Sequence, residues 1–427
     1  MKSLKDAKLD TILLHAGYDS DPTTGASVVP IYQTAAYDLQ SVEHAADLFS
    51  LKATGNIYTR IMNPTNGAFE ARMAALEGGI GALAFASGHA AIVGAILNIA
   101  KAGDEIVSAS QIYGGTCNIF SHTLPNMGIR VHFVSGNNPE DFAEAVTSKT
   151  KAIFAETIGN PKIDVADIEG LANVAHANGI PLILDATFTP YVNRSIEFGA
   201  DIVIHSATKY IGGHGTSMGG VLIDAGNFDY ANGKFPLLSE PDPSYHGLAF
   251  TSLGNAAYIA RLRTQILRDM GACLAPFNSF LFMQGLETLH LRMERHNQNA
   301  LAVARYLEAH SSVAWVSYPS LESHPDHALA KKYFPKGAGG MLAFGIKGGL
   351  EAGKRFINAL TLVSHLANVG DVKSLVIHPA STTHSQLSPK QLKASGTTED
   401  MIRFSVGIED AADIINDLEQ ALAAAQQ

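Results

Sequence analysis

Between residues 63 and 225, short apolar runs at 82–86, 105–108, 130–134, 152–156, 182–185, 202–205 and 220–223 alternate with longer segments of helical periodicity. Such short runs cannot satisfy their own backbone groups, so they must pair with one another. Helix-length connections between successive strands favour right-handed crossovers. The expectation is an α/β fold, a mostly parallel sheet with helices on both faces. This also says where to look for chemistry, because ligands of open parallel sheets gather beyond the carboxyl ends of the strands.

The rest of the chain divides around that unit. Residues 1–62 are polar, punctuated by Gly and Pro, and without sustained periodicity, which reads as an N-terminal arm. Residues 63–275 hold the alternating pattern. Residues 276–427 open with one long helical pattern from 276 to 310. Strands expected at 314–318, 341–346, 374–377 and 401–406 follow, and a helix at 411–425 ends a smaller C-terminal α/β domain. A length of 427 residues suits two domains. The turn-rich stretch 226–250 reads as an insertion over the site, with tyrosines and prolines that narrow its entrance.

The run at 202–205 leads directly into Ser206-Ala207-Thr208-Lys209. A lysine at the end of a buried strand is poorly hydrated, so its pKa falls and its free amine can condense with a carbonyl. Ser206 and Thr208 flank it with hydroxyls that reach a phosphate. Together they point to a lysine-bound pyridoxal 5'-phosphate (PLP). A motif this short fits equally well a lysine that caps a strand. The other strand ends therefore carry weight. Asp185 closes the run 182–185, where a carboxylate needs a cationic partner such as a protonated pyridine nitrogen, or else caps the following loop. Ser87-Gly88-His89 opens a helix, a place where backbone amides take phosphate. Tyr113 follows a third run and has a ring to stack, and Asn160 follows a fourth with an amide to offer.

Other chemistries lack their residues. The chain has no Gly-x-Gly-x-x-Gly after a strand and no Gly-Lys-Ser/Thr loop, which dinucleotide and P-loop sites require. Its 17 histidines show no zinc-ligand spacing, and Cys117 and Cys273 cannot build a disulfide framework. A net charge of −10 argues against a nucleic-acid partner. No Asp, Glu, Lys or Arg falls between Glu77 and Lys101, but Ser87-Gly88-His89 interrupts that stretch, which reads as a strand and a buried helix rather than a membrane span. No secretion signal is visible at the start, so a cytoplasmic enzyme is expected.

Taken in order, from Tyr58-Thr59-Arg60 to Arg403, these pieces resemble the cysteine/methionine-metabolism family of PLP enzymes, which is cystathionine γ-synthase-like and of fold type I. The resemblance implies a PLP-dependent transferase with Lys209 as the cofactor-bound lysine and Asp185 on the pyridine nitrogen. It implies Tyr113 stacked on the ring and acting as second acid/base. Phosphate contacts would come from Gly88, the amide of His89, Ser206 and Thr208. Tyr58 and Arg60 match residues that reach the neighbouring subunit's phosphate, which implies a homodimer, usually paired into a homotetramer, with shared sites. Asn160, Ser374 and Arg403 match the substrate-carboxylate positions, and a guanidinium suits that task because it grips a carboxylate with two hydrogen bonds.

Within the family, the loop Gly213-His214-Gly215-Thr216 differs from the His-Ser-Asp usual in the cystathionine enzymes. That loop, the 226–250 segment and the stretch from Asn368 to His384 resemble the branch that exchanges the acetate of O-acetylhomoserine for sulfide, forming homocysteine for methionine biosynthesis. Cystathionine γ-synthase and methionine γ-lyase activities are the alternatives inside the family. A catalytically silent PLP-fold binding protein is the alternative outside it, and the presence of Lys209, Asp185 and Tyr113 together argues against that.

Overall fold

The structure, a computed structural model, describes residue 4, residues 6–382 and residues 396–427. Seven strands form the larger sheet: β1 (Gly81–Phe85), β2 (Glu105–Ala109), β3 (Arg130–Val134), β4 (Thr150–Glu156), β5 (Leu182–Asp185), β6 (Ile202–His205) and β7 (Gly220–Asp224). Their order is β1-β7-β6-β5-β4-β2-β3. Strands β2 to β6 run parallel, while β7 is antiparallel to both β1 and β6. Each expected run overlaps one of these strands. β4 and β6 are buried along their whole length, as continuous apolar strands of a covered parallel sheet should be.

Local sequence sets the helix ends that matter for the site. Ser87 caps the helix Gly88–Leu97 by accepting from Ala90 N at 3.1 Å, so the chain turns from β1 into a helix within three residues. The charge-free stretch is thereby spent on β1 and this helix. Among the described residues, no helix is long and apolar enough to cross a membrane.

A second sheet holds β8 (Val313–Ser317), β9 (Met341–Ile346), β10 (Ser364–His365), β11 (Leu375–Ile377) and β12 (Met401–Ser405), in the order β10-β11-β12-β9-β8. The two-residue β10 is too short to show in a periodicity pattern. The helix Ala411–Ala425 follows β12.

Three expectations need correction. The helical pattern 276–310 is two helices, Pro276–Glu287 and Leu289–Ala309, which break at Thr288 (φ −113°, ψ 8°). The break lets Arg292 reach back to Gly285 O at 2.7 Å and to Tyr210 O at 2.6 Å, tying the helix end to the lysine's own turn. The arm contains two short helices, Leu9–His15 and Val42–Phe49, of which the first buries Leu13.

The third correction concerns 226–250, which does not cover the carboxyl ends of the strands. Its first half packs at the opposite end of the sheet, where Lys151 Nζ donates to Lys234 O at 2.7 Å and Asn232 Nδ2 donates to Gly179 O at 3.0 Å. Phe235 and Leu238 are fully buried there. Its second half rests on the segment before residue 271, with Tyr245 Oη donating to Thr264 O at 2.8 Å. Turn composition shows that a segment is a loop, but not which end of the sheet buries its aromatic rings.

Candidate active site

The larger sheet delivers its strand-end residues to one cavity of about 430 Å³. Ser206, Thr208 and Lys209 come from the turn after β6, and Asp185 is the last residue of β5. Asn160 follows β4, Tyr113 follows β2, and Gly88 and His89 begin the helix after β1. Arg403, on β12 of the second sheet, lines the same cavity. Residues from Gly88 to Lys209 thus meet because their strands end on one side, and the second sheet brings Arg403 to them.

The electrostatics follow from burial. The Lys209 amine is pushed down to about 8, first by desolvation and then by the Arg403 charge. A lysine so placed is deprotonated in part near neutral pH, as a nucleophile or base must be. Burial likewise lowers Arg403, to about 10, and its Nη1 donates to Asn160 Oδ1 at 3.2 Å. Burial raises Asp185 above its ordinary value, opposed by hydrogen bonds from Thr187. A neighbouring cation would reverse that rise.

Three expected residues lie elsewhere. Ser374 is buried, but its Oγ donates to Glu409 Oε2 at 3.0 Å and accepts from Gly407 N at 2.9 Å. It does not line the cavity. Tyr58 and Arg60 do not line their own chain's cavity either; the Arg60 guanidinium lies 5.4 Å from the Tyr58 ring centroid and donates to Arg268 O. From the stretch 368–384, residues 383 and 384 lie outside the described residues.

Sequence reasoning also missed three contributors. Glu156, the last residue of β4, lies beside Asp185 in register and accepts from Tyr113 N at 2.7 Å. Burial, then the Asp185 charge, raise its carboxyl well above the ordinary range. The strand-end rule that picked Asp185 would have picked it too. Asn368 takes a 2.6 Å hydrogen bond from Lys209 Nζ, and no local pattern announces that. The His89 ring, not only its amide, reaches the cavity. Its centroid is 5.5 Å from that of Tyr113, in space that a Cβ on Gly115 would occupy at 2.6 Å from His89 Cε1.

The residues present fit PLP. A Cβ on Gly88 would lie 2.8 Å from Ser206 Cβ, so the helix start and the lysine's turn are pressed together around a cradle of small groups. The first amides of the helix Gly88–Leu97 have no intrahelical acceptor and favour a phosphate. Buried Nε2 of His89 and Oγ1 of Thr116, both on the cavity wall, have no hydrogen-bond partner among the described residues. Orphaned polar atoms of this kind imply a polar occupant.

Comparison with known proteins agrees with this reading. The family described as Cys/Met metabolism PLP-dependent enzyme matches residues 10–423. An O-acetyl-L-homoserine sulfhydrylase of Leptospira meyeri is 51% identical over 429 residues, spanning 98% of this chain and 97% of the relative. A homocysteine synthase of Schizosaccharomyces pombe is 53% identical, over 97% of each chain. A putative O-acetylhomoserine (thiol)-lyase from Campylobacter jejuni, solved with N'-pyridoxyl-lysine-5'-monophosphate, superposes with a TM-score of 0.95 at 42% identity, covering 97% of this chain and all of that one. With its fold, its cavity and nearly its whole length accounted for, this chain belongs to the Cys/Met metabolism family of PLP-dependent enzymes.

Proposed function

We propose that the chain catalyses γ-replacement on O-acetyl-L-homoserine. Sulfide forms the new C–S bond at Cγ, the C–O bond breaks, and the products are L-homocysteine and acetate. The observation that carries this reading is the single cavity in which a buried lysine, a strand-end carboxylate and a buried arginine come together. When bound there, PLP supplies an electron-poor ring that stabilises negative charge developing at the substrate's Cα and Cβ.

The chain's own groups then have definite tasks. Arg403, held by Asn160, is the one buried guanidinium on the cavity wall among the described residues and takes the substrate carboxylate bidentately. Lys209 Nζ, with its proton loosened by burial, takes the proton from Cα and returns it. Asp185 would hold a protonated pyridine nitrogen, which relieves its own burial. Gly88, the His89 amide, Ser206 and Thr208 would hold the phosphate. Tyr113 stands free to stack on the ring and to move a second proton at its Oη; its backbone is fixed by Glu156.

Gly215 and Thr216 line the cavity where the cystathionine enzymes usually place an acid, so a cysteine ammonium finds no partner from these two positions. Sulfide asks for none. Direct competition at equal sulfide and cysteine concentrations, with both products quantified, tests this. Homocysteine should dominate; mostly cystathionine would move the chain to another branch, and methanethiol with 2-oxobutyrate from methionine would indicate a γ-lyase.

We also propose the division into an arm (1–62), a cofactor-binding domain (63–275) and a C-terminal domain (276–427), with the arm reaching a neighbouring copy. Val28, Val42, Phe49 and Tyr58 of the arm expose 63%, 82%, 60% and 41% of their surface, apolar area that a neighbouring copy would cover. Mixing Arg60→Ala with Lys209→Ala protein should recover activity if sites in a homodimer or homotetramer are shared. A cytoplasmic setting fits the two free thiols, Cys117 and Cys273.

A further inference from the structure

The reaction proposed for this cavity makes Lys209 a proton carrier, and a carrier needs somewhere to stand when it is not attached to the cofactor. A lysine side chain has four rotatable bonds, so a released amine would otherwise sample many positions. Asn368 offers it one. Its Oδ1 accepts from Lys209 Nζ at 2.6 Å, and both residues line the cavity.

The backbone around Asn368 is tied on two sides. Val372 N donates to Gly213 O at 2.8 Å, four residues beyond the lysine. Gly370 N donates to Ser405 Oγ at 2.9 Å, on the strand that carries Arg403. Gly370 has φ +69°, and a Cβ there would lie 2.8 Å from Tyr210 N, so this backbone passes the lysine's turn at a separation that excludes side chains. The amide is therefore placed by a frame that links the substrate clamp to the lysine. Its chemistry suits the task. A carboxylate in its place would hold the ammonium's proton too firmly, and an apolar group would leave a buried amine unsatisfied.

We infer that Asn368 is a positioning residue for Lys209, its carboxamide oxygen holding the released amine at one place on the cavity wall while that amine carries a proton to and from the substrate. The inference rests on the lysine's role in the proposed reaction, but not on which nucleophile or leaving group that reaction uses.

The test uses full-length holoenzyme as wild type, Asn368→Ala and Asn368→Asp. L-Alanine, which has a Cα proton and no leaving group, is followed by NMR for exchange of that proton in D₂O. Asn368→Ala should keep its cofactor and its half-saturating alanine concentration, yet lose about tenfold or more in the maximal exchange rate, because a displaced base is a poor one. Asn368→Asp places a negative charge beside the amine, so the pH midpoint of exchange should move up by about one unit. The same upward move should appear in cofactor-stripped protein, in the pH dependence of Lys209 acylation by acetic anhydride read by mass spectrometry. Exchange in Asn368→Ala within about twofold of wild type, or unmoved midpoints in Asn368→Asp, would overturn the inference. If the variants behave as expected while wild type makes no homocysteine, the γ-replacement reading fails and this one stands.

Discussion

The larger sheet buries acidic groups at both of its ends, and the two ends treat them differently. At the carboxyl ends of the parallel strands, Glu156 and Asp185 face a cavity of about 430 Å³ with Lys209 and Arg403 on its wall. At the opposite end, Asp201 and Asp224 are sealed by the first half of the 226–250 segment. There, Tyr230 stacks on Tyr258 with centroids 5.3 Å apart, and Phe235 packs edge-on to both Phe228 and Tyr230. Asp201 Oδ2 takes hydrogen bonds from Leu182 N and from His176 Nε2, each at 2.8 Å. The contrast shows that a buried carboxylate alone does not mark a site. Open space, with cations and orphaned donors aimed into it, does.

That contrast can be broken most directly at Lys209. Among the described residues its Nζ makes a single hydrogen bond, to Asn368, so Lys209→Ala should fold and melt close to wild type. Turnover should nevertheless fall by about four orders of magnitude or more, because the proton carrier itself is gone. Thermal melting and homocysteine formation on the same preparation measure both. A variant that keeps about a tenth of the rate would mean the cavity's chemistry belongs to another group.

The mirror experiment removes packing at the sealed end. Phe235 is fully buried, with Phe228 and Tyr230 packed on its ring and Lys151 Nζ 5.8 Å from its centroid. Phe235→Ala should lower unfolding free energy by about 3–5 kcal/mol, measured by denaturant titration. Activity per folded molecule should not change, since no residue of 226–250 lines the cavity. Lost activity in the folded fraction would show that this segment governs the site after all.

A smaller effect is expected at Arg403. Arg403→Lys keeps the charge and loses the planar fork, so kcat/KM for O-acetyl-L-homoserine should fall by about 2 kcal/mol, mostly through KM. An unchanged KM would move the carboxylate clamp elsewhere.

The site was legible where one rule covered it. Strand-end position identified Asp185, Lys209, Tyr113 and Asn160, because a parallel sheet makes that position equivalent to shared space. It failed where function depends on a loop's exact path. Ser374 and Asn368 lie six residues apart in one loop, and the sequence carries nothing to say which side chain turns inward; the ties from Gly370 and Val372 decide it. The placement of 226–250 was hidden for a related reason. Its aromatics needed burial, and only the tertiary fold shows that the free apolar surface lay at the sealed end. The break at Thr288 was also invisible, since apolar periodicity continues through it, and what the break serves, Arg292 reaching Tyr210 O, is a contact between distant segments.

The finest division between the two ends is electrostatic, and Asp224 tests it. Asp224 is 2% exposed; its Oδ1 accepts from Gly226 N at 2.9 Å, and its Oδ2 has no partner among the described residues. Burial, opposed by the Gly226 hydrogen bond, raises its carboxyl from 3.8 to about 7. The folded chain therefore holds this proton more tightly than the unfolded chain does. Below about 4 both states are protonated and the contribution to stability is fully present. As pH rises towards about 7 the unfolded chain ionises first, so stability falls across that window, and above it the penalty of a buried charge persists. Asp224→Asn removes the titration and keeps an oxygen for Gly226 N. The variant should melt with wild type near the low edge of the window and a few degrees above it at pH 8, the one condition where wild type carries the buried charge. Its kcat/KM should match wild type throughout, because Asp224 lies at the far end of β7 from the cavity. A change in kcat/KM that follows the protonation of Asp224 would mean that the sheet transmits charge from its sealed end to its open one, and the separation of the two ends would fail.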